Sequence, residues 1–235
     1  MGENDTNGVT APAASPWSDG RHPGAIEEWV FGAWLPDASM GVISGHRIVG
    51  PRAWYWAAVA RSGRPLLHVA DFEVPVRSDP FIVKGEAMWA EHVRDAPMEQ
   101  WSVGNETYAS ALDDPADALG RAYGVPTPIA FDLEWYATEG PTAVSDGYEQ
   151  NGVVHGVIEI LGEPTIEVSE IPAHRWHRWT ATDGGSALGP LPVSVAAAHG
   201  GARAPFAFPD GTVIDLVVTP SGWRRRPART SSPAT

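Results

Sequence analysis

Ile129-Ala130-Phe131-Asp132-Leu133-Glu134-Trp135 places apolar side chains at every odd position and carboxylates at the last two even ones. Successive side chains of a strand point to opposite faces, so this stretch reads as a strand with Phe131, Leu133 and Trp135 in the core and Asp132 and Glu134 in solvent. The same period of two runs through Trp54–Ala60, Leu66–Val74, Phe81–Glu91, Glu99–Ala109, Val153–Ile160, Arg175–Ala181, Val193–Ala198, Ala204–Phe208 and Thr212–Thr219. Pro209-Asp210-Gly211 supplies a hairpin turn, because proline presets φ and glycine accepts positive φ, and Leu161-Gly162-Glu163-Pro164 turns another. About ten strands in one body predict an all-β fold, an antiparallel lipocalin-like β-barrel or closed sandwich, since closure removes exposed edges. Asp113-Asp114-Pro115-Ala116-Asp117-Ala118-Leu119-Gly120 breaks the pattern with an aspartate cap, an early proline and a final glycine, which predicts one short helix.

A hydrophobic fraction of 43% against 19% charged residues supports a sizeable core, and 25 glycines with 22 prolines favour short elements joined by turns. The net charge of −13 repels phosphate backbones, which argues against a nucleic-acid partner. The basic cluster Arg224-Arg225-Arg226 with Arg229 falls in a Pro/Ser/Thr-rich tail. Cysteine is absent, which excludes disulfides, thiolate metal sites and cysteine nucleophiles. Residues 1–20 read as a disordered acidic arm without a signal-peptide pattern, 21–220 as a single β-barrel domain and 221–235 as a disordered basic tail. No run reaches the roughly 18–20 apolar residues of a membrane helix, so a cytoplasmic protein with no membrane partner is expected.

The densest chemistry lies at His174-Arg175-Trp176-His177-Arg178-Trp179. On a strand, His174, Trp176 and Arg178 share one face and Arg175, His177 and Trp179 the other, so only one histidine can face a lumen. That split counts against a two-histidine metal site within the stretch, and neither a metal nor another cofactor is expected from the spacing. The catalytic candidates are His174 and His177 as proton donors, with Arg175 and Glu106 assisting. Among 11 tryptophans, Trp54, Trp56, Trp89, Trp101, Trp176 and Trp179, with Tyr108 and Tyr148, are the candidate ligand-binding residues. Their indoles and phenols offer large apolar area with a polar handle, and either a partly hollow or a solid aromatic interior fits them. Trp54 and Trp56 share one side of their strand; it lines a lumen if it faces inward and marks an interface if it faces outward. Glu86, Glu91, His92 and Glu106 fall on neighbouring strands, where burial beside tryptophan would raise a carboxyl pKa. His155 shares its face with Val153 and Val157 and reads as a core or lumen histidine. Asp113-Asp114-Pro115-Ala116-Asp117 matches a DDxxD pattern, but a helix cap explains it. Nucleophile elbows, phosphate loops and dinucleotide fingerprints do not occur.

The run Gly147-Tyr148-Glu149-Gln150, a strand Val153–Ile160 containing Gly156, a Gly162 turn and the Arg175/His177/Trp179 cluster resemble the lipocalin-like family of hydroxyneurosporene synthase (carotenoid 1,2-hydratase) and AttH-type proteins over residues 85–180. The family motif runs Arg-Asp-His-x-Trp; this chain lacks the aspartate beside the histidine. The resemblance implies a barrel and an apolar ligand. The first expectation is therefore a barrel that binds an apolar small molecule, isoprenoid, polyketide or lipid-derived, in an aromatic-lined pocket. An enzyme on the same scaffold, catalysing acid-assisted hydration, isomerisation or cyclisation of an alkene-rich substrate, is the second. A β-rich protein-interaction module with outward indoles is the third.

Overall fold

The computed structural model describes residues 17–22, 24–180 and 201–226. Among these residues fourteen strands follow in chain order: β1 Glu27–Trp34, β2 Met40–Val49, β3 Arg52–Arg61, β4 Leu66–Pro75, β5 Ile82–Lys84, β6 Met88–Ala96, β7 Gln100–Leu112, β8 Val125–Ala137, β9 Thr142–Val144, β10 Gly147–Ile160, β11 Ile166–Trp179, β12 Arg203–Ala207, β13 Val213–Thr219 and β14 Gly222–Arg225. All pairings are antiparallel. The large sheet runs β4-β3-β2-β1-β11-β10-β8-β7-β6-β5, and Leu66–His68 of β4 pairs back onto Ser110–Leu112 of β7. That pairing closes a ring of eight strands, with β5 and β6 branching from the other half of the same β7 edge.

Two apolar cores result. Alternate residues of the ring strands fill its inside, including Trp29, Phe31, Val42, Tyr55, Trp101, Phe131, Leu133, Trp135 and Val154. A separate sheet, β12-β13-β14, lies on the outer face of β1, β2 and β3, and encloses Val30, Ile43, Trp54, Trp56, Trp176, Phe206, Phe208, Leu216 and Trp223. Close approach there depends on glycine. A Cβ at Gly41 would lie 2.6 Å from the Trp223 ring, and one at Gly45 would lie 2.5 Å from the Trp56 ring. Trp223 Nε1 donates to the Ala33 carbonyl (3.2 Å), which fixes the indole on this floor.

Several expectations change here. Trp54 and Trp56 face outward and are covered by the small sheet, so they line no lumen. Phe81–Glu91 is two strands, β5 and β6, with a turn between them. β1 and β2 were not anticipated: each is buried along almost its whole length, on both faces, which erases the alternation. Residues 203–225 form their own sheet, and the expected tail contributes β14. Trp17 to Gly20 of the expected arm packs against the ring, with Asp19 buried. The expected helix is a 3₁₀ turn, Pro115–Leu119, capped by the Asp114 side chain, which accepts from Ala116 N. His155 lies on the outer face with Val153 and Val157, because the alternate positions Val154 and Ile158 take the inside; the extra residue in the β10–β11 pairing belongs to β11, at Ser169-Glu170. Val193–Ala198 lies outside the described residues. The Pro209-Asp210-Gly211 turn is as anticipated, and the Asp210 carboxylate accepts from Arg47 Nη1 (2.9 Å), joining the small sheet to the ring. No helix among the described residues is long and apolar enough to cross a membrane.

Candidate functional site

One end of the ring is polar and buried. β10 contributes Tyr148 and Gln150, β11 contributes Arg175 and His177, β1 contributes Glu27, and the segment before β1 adds Asp19 and His22. Arg175 Nη1 donates to Asp19 Oδ1 (2.7 Å), while Nε and Nη2 donate to Gln150 Oε1 (3.1 and 2.7 Å). The guanidinium lies over the rings of Trp135 (4.9 Å), Tyr148 (5.3 Å) and Trp101 (5.6 Å). Tyr148 Oη donates a short hydrogen bond to Asp19. Burial works to raise the Asp19 pKa, but the Arg175 charge, the Tyr148 hydroxyl and the Met98 N–H together hold it below the usual value. Burial raises the Tyr148 pKa. His177 Nε2 lies 2.7 Å from Glu27 Oε1, and burial lowers its pKa although Glu27 opposes the shift.

Deeper inside, Trp29 stacks between His177 (4.6 Å) and His46 (5.0 Å). His46 and His92 meet Nδ1 to Nδ1 at 2.7 Å. A consistent chain of bonds runs from Asn105 Nδ2 to Tyr55 Oη (2.7 Å), from Tyr55 to Ser44 Oγ (3.1 Å) and from Ser44 to His92 Nε2 (2.9 Å). Burial pushes His92 down to about 3 and His46 well below 6.5. The void bounded by Phe31, Val42, Ser44, Val103, Leu133, Trp135 and Val154 measures about 10 Å³, the space of a single water at most.

The opposite end carries a cavity. The rim where β6, β7, β8 and β10 meet holds an open groove of about 730 Å³, bordered by Met88, Trp89, Tyr108, Ile129, Ile160 and Leu161, with Lys84, Glu86, Glu106, Glu159 and Glu163 around it. Tyr108 and Leu161 are 64% and 72% exposed, so apolar area at its edge faces water. Arg61 pairs with Glu163 (2.5 Å) and lowers its pKa. Tyr148 and Ile160 lie twelve positions apart on β10, so the polar end and the groove are distinct places.

The sequence candidates divide accordingly. Trp89, Glu106 and Tyr108 meet at the groove. Arg175, His177, Tyr148 and Trp101 meet at the polar end, where Trp179 covers His22 in a stacked contact (4.1 Å). Trp176 lies outside the ring and donates from Nε1 to Glu28 Oε1 (2.6 Å). His174 is on the outer face, with Nδ1 2.8 Å from Asn151 Oδ1 and Nε2 3.3 Å from Glu149 Oε2. The four catalytic candidates therefore form no single constellation. Glu91, on the outer face, has a pKa raised by burial and by Asp132, Asp79 and Asp95.

Asp19, His22, Glu27, His46 and Glu28 escaped the sequence reading. Glu27, from β1, places a carboxylate beside His177 in space. Residues 15–213 match one family, described as a domain of unknown function, DUF7064. The chain belongs to that family. No curated protein and no solved structure matches it.

Proposed function

We propose that the protein binds a neutral, largely apolar small molecule, isoprenoid, polyketide or lipid-derived, in the groove at the ring's rim. One observation carries this reading: a cavity of about 730 Å³ bordered by Trp89, Tyr108, Ile129, Ile160 and Leu161. Ligand clefts typically span about 300–1,000 Å³ and combine apolar walls with a few polar groups, often at barrel mouths. The filled interior argues against a ligand in the lumen, so the site moves to the rim. Glu86, Glu106 and Glu159 at its border disfavour anionic ligands such as free fatty acids, by like-charge repulsion. The dispersed histidines favour binding over a reaction.

N-phenyl-1-naphthylamine, an uncharged fluorescent probe, tests the site. Tyr108→Asp and Leu161→Asp place charge on exposed lips of the groove and are expected to weaken probe binding by about tenfold or more each. Unchanged affinity in both variants contradicts the assignment.

A further inference from the structure

At the polar end, three side chains from two stretches far apart in sequence converge. His22 Nδ1 and His177 Nε2 each lie 2.7 Å from Glu27 Oε1, and one ligand atom from each residue falls within 4.8 Å of the others. Glu27 and His177 are fully buried, whereas the His22 side chain is 32% exposed, so the group is open on one side only.

Hydrogen-bond inventory allows the His177–Glu27 contact two forms. Tyr148 has one hydroxyl proton, and it is donated to Asp19. Arg175 Nη1 also donates to Tyr148 Oη (3.4 Å), so that oxygen acts as an acceptor towards its other neighbours. With its proton on Nδ1, 3.3 Å from Tyr148 Oη, His177 presents the Nε2 lone pair to a Glu27 oxygen at 2.7 Å, a pair that a cation would bridge; with the proton on Nε2, His177 donates to Glu27 and a metal would replace that proton. A hydrogen bond to the far nitrogen of a histidine is also how metal sites fix the ligating tautomer.

We propose that His22, Glu27 and His177 form a two-histidine, one-carboxylate site for a divalent transition metal, with zinc as the test ion. Two imidazoles and one carboxylate leave a fourth position for water on the His22 side, the arrangement of an open zinc site. Metal bonds of about 2.0–2.2 Å require the ring-to-carboxylate contacts to open by roughly half an ångström. Rotation of Glu27 and the half-exposed His22 allows this. Tyr148 is a positioning residue that acts through His177.

The test uses the full chain, stripped with a chelator and titrated with Zn²⁺ against a chromophoric competitor, and with Co²⁺ read by its visible d–d absorption. One metal per chain is expected, with d–d bands of the low coordination number that three protein ligands and a water impose. His22→Ala, at a half-exposed position where folding is retained by circular dichroism, removes both signals. Tyr148→Phe weakens zinc binding by about 10–100-fold. His155→Ala, on the outer face, changes neither. Absence of stoichiometric binding, binding that survives His22→Ala, or equal loss in His155→Ala overturns the proposal and leaves a hydrogen-bonded His–Glu–His group with an extra proton.

Discussion

Arg175 shows what the polar end costs and how it is held. Its guanidinium is buried between indoles, and among the described residues only Asp19 balances its charge at hydrogen-bonding distance, with Gln150 taking two more donors. Breaking a buried pair from one side strands the other charge. Arg175→Met is therefore expected to lower stability by about 3–5 kcal/mol in urea unfolding, and a loss below about 1 kcal/mol contradicts the pairing. Arg175 and His177 were readable as sharing one strand face apart from His174, because the period of two fixes faces within a strand. Their partners were not readable. Asp19, His22 and Glu27 come from the other end of the chain, and spacing within a motif carries no information about a strand that pairs from that far away.

At the scale of elements, legibility followed exposure. β8 and β10 keep one wet face, and their alternation declares them. β1 and β2 are covered inside by the ring core and outside by β12–β14, so Trp29-Val30-Phe31-Gly32-Ala33-Trp34 is an unbroken apolar run that no period resolves. The glycines in these strands were the unused signal, since Gly41 and Gly45 leave room for the Trp223 and Trp56 rings. The same sheet explains why Trp54 and Trp56 were ambiguous: both inside and outside are dry. Trp223→Ala removes the ring that seats on Gly32 and Gly41. It is expected to cost about 3–5 kcal/mol and to shift tryptophan emission to longer wavelength as the outer indoles meet water. Unaltered emission and stability would show that the small sheet docks by other contacts.

For the whole molecule, buried neutral histidines set the response to acid. His92 is pushed down to about 3 and His68, stacked on Phe206, to about 4, both mainly by burial, and His46 falls well below 6.5. A base with a folded pKa below its unfolded value leaves the unfolded chain holding more protons. This contribution is whole above about pH 6.5 and drains as the pH falls towards 4 and then 3. Between pH 6.5 and 5, His68 and His92 each cost about 2 kcal/mol, so urea unfolding at pH 5 is expected to show a clear loss relative to pH 7. A flat profile contradicts neutral burial. An all-β closed architecture was legible because many alternating segments with turns have few other solutions. Whether the ring would be hollow was not legible, since that depends on how the volumes of Trp29, Trp101 and Trp135 sum inside it.

The central claim is that the ligand site lies on the rim and not inside the ring. Anomalous diffraction from crystals soaked with a brominated apolar alcohol locates the ligand directly. The bromine is expected beside Trp89, Tyr108 and Leu161. Bromine density among Trp29, Trp101 and Trp135 would contradict the claim.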